Sequence, residues 1–219
     1  PELNAFHAPL SHHQLESSPG VDISDMLARH NLILVLGGIG AGKSTLLHYI
    51  ALQYATILGE EPGGEPAFEK LADGSIRYRL PWPLPVFVEL AAYVETRQPG
   101  ESLQDFLIRT ASEHARDGGV ERMLLSLLAS GQCVILLDGM DQTATDAQRQ
   151  AVVSEVTTCA GLWADAGNQV VVTGRFEGYD VNPLPPDFAC YLLRPFTRDQ
   201  ISAFLLNWRR TLVRMQRPL

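Results

Sequence analysis

The sequence predicts an α/β fold: a parallel sheet of five strands with helices on both faces. Three observations carry this. Five-residue apolar runs alternate with longer segments of helical periodicity: LILVL at 32–36, VFVEL at 86–90, CVILL at 133–137 and QVVVT at 169–173. The runs are nearly continuous in apolar character, as strands buried on both faces must be. The chain has 219 residues, enough for one large domain with its own core.

Residues 1–20 read as an irregular lead-in, with Pro1, Pro9, Pro19 and Gly20 and no periodicity. The adjacent His12 and His13 are too few for a metal site by themselves. The main domain is expected over 21–194. Asp22 is placed to cap a helix over 22–30 whose apolar face is Ile23, Met26 and Leu27. The strand Leu32–Leu36 leads through a glycine-rich turn into a helix over 44–58. Residues 59–66 (GEEPGGEP) form a loop, and 68–80 a hairpin turning at Asp73-Gly74. Pro81, Pro83 and Pro85 forbid a helix and lead into the strand Val86–Leu90. Helices are expected over 102–116, with Ser102 and Asp105 spaced as a capping box, and over 120–130, stopped by Gly131.

The third strand, Cys133–Leu137, ends in Asp138. An amphipathic helix spans 146–163, and the fourth strand is Gln169–Thr173. A proline-rich loop at 183–186 precedes a short strand, Cys190–Leu193. The last segment, 195–219, reads as the beginning of a further helical region. Its helix is expected to start at Thr197, with Ile201, Phe204, Leu205 and Trp208 as its stripe.

Composition narrows the function. Lys and Arg number 17 against 25 Asp and Glu, a net charge of −8, which argues against a nucleic-acid partner. No apolar run approaches the length of a membrane helix, and residues 1–30 lack the basic start and apolar stretch of a signal peptide. The three cysteines, Cys133, Cys159 and Cys190, form no CxxC pair and suggest neither a disulfide framework nor a zinc site. A cytoplasmic chain is expected, and one that is a piece of a longer protein.

Residues 37–45 read GGIGAGKST, which satisfies G-x-x-x-x-G-K-[ST] between an apolar strand and a helix. Such a loop curls so that its backbone N–H groups converge on phosphate oxygens, aided by the helix N-terminus. Gly37, Gly38, Ile39, Gly40, Ala41, Gly42, Lys43, Ser44 and Thr45 are therefore the candidate nucleotide-binding residues. Lys43 reaches β- and γ-phosphates, and Ser44 is placed to ligate Mg²⁺. Thr45 has two readings: a contact to the α-phosphate, or a residue of the first helical turn.

A second metal anchor is expected at Asp138, at the tip of the strand in VILLDGMDQ. Asp141 is the next carboxylate. Gln142 can orient a water but cannot take its proton. Arg175 follows the fourth strand; it reads either as a sensor of a γ-phosphate or as a surface arginine. Tyr179 reads as packing.

The blocks GGIGAGKSTLL (37–47), GQCVILLDGMDQ (131–142) and VVVTGRFEGYD (170–180), in this order, resemble a NACHT module, of the STAND class of P-loop NTPases, and its bacterial members in particular. RPFTRDQISAFLLNW (194–208) resembles the start of the helical region that follows the NTPase core. The resemblance covers roughly 22–210. It implies a three-layer P-loop NTPase fold in which the P-loop strand is flanked by the sensor-1 strand. It also implies binding of ATP or ADP with Mg²⁺, slow hydrolysis at most, and a nucleotide-dependent oligomerising switch in signalling or innate immunity, including defence against phage. The family self-associates through this module and carries effector and sensor domains beyond it. By motif position Lys43 and Ser44 are the P-loop lysine and metal ligand, Asp138 and Asp141 the Walker B acids, and Arg175 the sensor-1 arginine. The chain has Gln142 where the family commonly has Glu, and Gly174 where it commonly has Ser.

Two other functions fit a phosphate-binding loop. A nucleic-acid-associated ATPase of AAA+ type sits poorly with the acidic charge. A small-molecule or nucleotide kinase wants an arginine-rich lid, and Arg77 and Arg79 do not make one.

Overall fold

The computed structural model describes residues 3–6, 20–60, 67–70, 76–80, 82–113, 119–142, 145–176, 179, 183–194, 196 and 198–215. In chain order its elements are β1 (Leu3–Phe6), α1 (Ile23–Arg29), β2 (Leu32–Leu36), α2 (Lys43–Glu60), β3 (Ala67–Lys70), β4 (Ile76–Arg79), β5 (Leu84–Glu89), α3 (Leu90–Thr96), α4 (Leu103–Glu113), α5 (Gly119–Ala129), β6 (Cys133–Asp138), α6 (Asp146–Asp165), β7 (Gln169–Gly174), β8 (Ala189–Leu193) and α7 (Arg198–Met215).

The apolar runs do form the sheet. Its order is β1-β8-β2-β7-β6-β5, and the five strands from β8 to β5 are all parallel. Strand alternation divides the core in two. Leu34, Val86, Val88, Ile135, Leu137, Val170 and Val172 meet α4, α5 and α6 on one face. Ile33, Val35, Val134, Leu136 and Val171 meet α1 and α2 on the other. The result is three layers, helices–sheet–helices, as the sequence predicts.

Two expectations need correction. The lead-in is not irregular throughout: Leu3–Phe6 pairs antiparallel with β8 as a sixth, edge strand. The segment is short and lacks a clear alternating pattern, so its pairing is decided by the free edge of β8 rather than by its own sequence. The strand at 86–90 starts earlier, at Leu84, and yields at Leu90 to a helix, α3, that was not expected. Pro85 fits inside β5 because that strand is at the sheet edge, where a missing N–H costs least.

The local signals elsewhere act as expected. The Asp22 carboxylate accepts from the Ser24 hydroxyl and from the Ser24 N–H, the latter at 2.9 Å, and these two bonds, the hydroxyl's first, hold its pKa below the usual carboxylate value. The Ser102 hydroxyl accepts from the Asp105 N–H at 3.1 Å and donates to its carboxylate at 2.7 Å. Gly131 takes φ +69°, where a Cβ would come 2.4 Å from the Ala166 carbonyl oxygen. β3 and β4 pair antiparallel, while the Asp73-Gly74 turn, His12, His13 and Thr197 lie outside the described residues. In α7, Ile201, Phe204 and Leu205 are exposed. Among the described residues no helix is long and apolar enough to cross a membrane.

One buried amide holds the lower end of the sheet. Asn168 is fully buried; its Oδ1 accepts from the Cys133 N–H at 3.0 Å, and its Nδ2 donates to the carbonyls of Leu128 at 2.7 Å and Trp163 at 3.0 Å. It thereby ties the start of β6 to the ends of α5 and α6.

Candidate functional site

Because β2, β7, β6 and β5 are parallel, their C-terminal ends share one sheet edge. Every candidate residue named from the sequence lies along it. In open α/β sheets this is the edge where ligands collect.

Residues 37–42 connect β2 to α2 and form the glycine-rich loop. Gly40 and Gly42 take φ +73° and +95°, conformations that L side chains rarely adopt. At Gly37 an added Cβ would approach the Ala41 Cβ to 3.2 Å, a contact tighter than usual. Ile39 at the loop tip is 82% exposed. The loop is closed by the Lys43 ammonium, which donates to the carbonyls of Gly37 at 2.7 Å and Gly38 at 2.9 Å. Ser44 and Thr45 are exposed in the first turn of α2, while Leu46 and Leu47 anchor the helix in the core.

The loop is joined to β7 as well, for the Gly37 N–H donates to the Gly174 carbonyl at 3.2 Å. β7 lies between β2 and β6. This position lets β7 carry the link between loop and acid. Thr173, fully buried, accepts from the Gly139 N–H at 2.9 Å and donates to Asp138 Oδ1 at 2.5 Å. Its carbonyl accepts from the Met140 N–H at 2.9 Å. One Asp138 oxygen is thus held in place by the neighbouring strand.

Asp141 and Arg175 meet directly. The Arg175 Nε lies 2.8 Å from Asp141 Oδ2, and its backbone N–H donates to Oδ1 at 2.9 Å. The Nε–H is not aligned on Oδ2, so the contact is a charge pair more than a directed hydrogen bond. Arg175 is 44% exposed in its side chain and Asp141 15%.

Gln142 is exposed, and its N–H donates to the Gly139 carbonyl at 2.9 Å. Its side chain curls over Gly139 (φ +79°), where a Cβ would stand 2.8 Å from the Gln142 Cδ. At Gly174 the nearest atoms to an added Cβ are 3.6 Å away, ordinary contact, so a serine would fit there. Tyr179 packs against the core, and its hydroxyl accepts from the Leu184 N–H at 3.2 Å.

Sequence reasoning missed Thr173 and Glu89 at this edge. Thr173 reads only as the end of QVVVT. Glu89 is the register partner of Asp138 on the adjacent strand. A signal for it existed: VFVE ends an apolar strand in a carboxylate, just as VILLD does.

Among the described residues no group of three or more His, Cys, Asp and Glu side chains is arranged to hold a metal. A Mg²⁺ at a phosphate loop needs no such cage, because it takes a hydroxyl, phosphate oxygens and water, with carboxylate help. The residues that fit that donor set are Ser44 and Asp138. No family model and no curated protein matches the chain.

Proposed function

We propose that this chain is a NACHT-type nucleotide-binding module that holds ATP or ADP with Mg²⁺ and uses the nucleotide state as a signalling switch. The observation that carries the reading is the convergence at one sheet edge of the phosphate loop, Asp138 and Arg175, with β7 between the loop's strand and the acidic strand. A glycine-rich turn without a ligand would not require the carboxylate and the arginine to collect beside it.

The chain's groups have distinct tasks in this reading. The N–H groups of 38–44 and the positive end of α2 receive the phosphates. Lys43, now on the carbonyls of Gly37 and Gly38, turns to the β- and γ-phosphates. Ser44 and the oxygen of Asp138 that Thr173 leaves free hold Mg²⁺, which when bound offsets phosphate charge. Arg175 distinguishes ATP from ADP. The NACHT resemblance extends the reading to a self-associating immune switch, including antiphage defence, with trigger and effector in other domains.

Titration of ATP–Mg²⁺ by calorimetry tests this. Lys43→Ala removes charge-assisted bonds worth about 1.5–3 kcal/mol each, so affinity is expected to fall at least about a hundredfold. Unchanged affinity would remove the loop as the site.

A further inference from the structure

We propose that Glu89 is the general base of this site, taking the proton of the water that attacks the γ-phosphorus. This rests on the nucleotide-binding reading above and adds a residue to it.

Three observations converge. The first is register: Glu89 pairs with Asp138 across the parallel strands β5 and β6. Val86 and Val88 face the α4–α6 side, and Phe87 the α1–α2 side. Glu89 keeps an extended backbone (φ −82°, ψ 115°), so the alternation carries it to the side of Phe87. Asp138 follows Val134 and Leu136 to that same side. Both carboxylates therefore share the layer of α2, the helix that begins at the phosphate loop.

The second observation sets the level. His48 of α2 stacks on Phe87 of β5, with ring centroids 4.5 Å apart. α2 runs back along the sheet, antiparallel to the strands. Four residues from His48 towards the loop, about 6 Å, reach Ser44. Two residues from Phe87 towards the same edge, about 6.6 Å, reach Glu89. Glu89 and Ser44 thus stand at one height.

The third is availability. Asp138 is engaged by Thr173, Asp141 by Arg175, and Gln142 is an amide. Glu89 is exposed and sits at the N-cap of α3, yet makes no side-chain capping bond. A cap would be better served by Ser, Thr, Asp or Asn, so helix capping does not account for a glutamate here.

In the step, the water oxygen bonds to the γ-phosphorus as the bond from phosphorus to the β,γ-bridging oxygen breaks. The electron pair leaves with ADP, and the water's proton passes to the Glu89 carboxylate. Release of that proton and of inorganic phosphate restores the site.

The test is Glu89→Gln, an isosteric change at an exposed position. Calorimetry with ATP–Mg²⁺ is expected to give an affinity within about threefold of the unaltered chain. Single-turnover hydrolysis of γ-labelled ATP is expected to fall about 10²-fold or more, the range of general-base help. Glu89→Asp, which keeps a carboxylate, is expected to retain more activity than Glu89→Gln. An unchanged rate in Glu89→Gln overturns the proposal. So does a loss that added Mg²⁺ reverses, which would make Glu89 part of the cation's water shell. ATP binding without hydrolysis in the unaltered chain also removes the role of Glu89 while leaving the binding reading intact; failure to bind ATP at all removes both.

Discussion

Arg175 and Asp141 are bound to each other twice, by an Nε–Oδ2 contact of 2.8 Å and by the Arg175 backbone N–H to Oδ1 at 2.9 Å. In the proposed nucleotide-binding role, a γ-phosphate would compete with Asp141 for the guanidinium. The magnitudes favour the phosphate. A partly exposed ion pair is worth about 0–1 kcal/mol, whereas a charge-assisted bond to a phosphate is worth about 1.5–3 kcal/mol. The backbone bond to Oδ1 does not depend on the guanidinium and can hold Asp141 in place after the switch.

Arg175→Ala is accordingly expected to weaken ATP about tenfold or more and ADP less than about threefold, since only ATP presents a γ-phosphate. Calorimetry with each nucleotide checks this. Equal losses would make Arg175 a structural partner of Asp141 and no more.

Thr173 gives a second prediction. Thr173→Val keeps the shape but leaves the buried Gly139 N–H without its acceptor and Asp138 Oδ1 without its donor. An orphaned buried group costs about 1–3 kcal/mol. At about 2–4 °C per kcal/mol for a chain of this size, the melting temperature should drop by about 3–10 °C. The Mg²⁺ concentration needed for nucleotide binding should also rise, because Asp138 is no longer held. A melting loss with no change in Mg²⁺ requirement would confine Thr173 to stability.

That network also marks the boundary of what is legible in the sequence. Periodicity exposed the parallel sheet because strands buried on both faces are apolar at every position, as in LILVL and CVILL. The glycine-rich loop at 37–42 was legible because its motif is contiguous in the chain. Thr173 was not, since its role arises only when β7 lies beside β6. Asn168 was missed for the same reason: its three bonds reach two helix ends and another strand. The pairing of Leu3–Phe6 was hidden because an edge strand of four residues leaves almost no periodic trace. The capping box of Thr145 with Gln148 follows the T-x-x-Q spacing of a helix start, one residue before Asp146.

The thiols yield a pH prediction. Burial pushes Cys133 up to about 12, and Cys159 and Cys190 up to about 11, from an ordinary 9.0. The folded state therefore keeps protons that the unfolded state gives up above pH 9. The stability these thiols contribute is complete below that value and is lost as pH rises towards 11 and 12. The urea midpoint is expected to fall between pH 8.5 and pH 10.5 (tested within roughly this window), and less so in Cys133→Ala. Alkylation by iodoacetamide at neutral pH should be slow for all three in the folded chain and fast in denaturant. Rapid modification of Cys133 in the folded chain would contradict the packing of β6.

Position 142 separates two accounts of hydrolysis. From sequence alone, an amide where the NACHT modules it resembles commonly have a carboxylate predicts slow turnover, and a carboxylate there should speed it. The structure changes the weight of that argument. The Gln142 side chain curls over Gly139, in a turn closed by its own N–H to the Gly139 carbonyl. Glu89 already supplies an unengaged carboxylate at the height of Ser44. A carboxylate at 142 would add a negative charge beside Asp138 and Asp141 without replacing a missing base. Gln142→Glu is therefore expected to change the single-turnover rate by less than about threefold, well below the 10²–10⁴ typical of a base gained. ATP affinity should weaken slightly, and less at high salt, as for any added like charge near the phosphates. Rapid-quench measurement with γ-labelled ATP decides between the accounts. A rise of tenfold or more in Gln142→Glu, with Glu89→Gln leaving the rate unchanged, would assign the base to position 142 and leave Glu89 as a surface carboxylate.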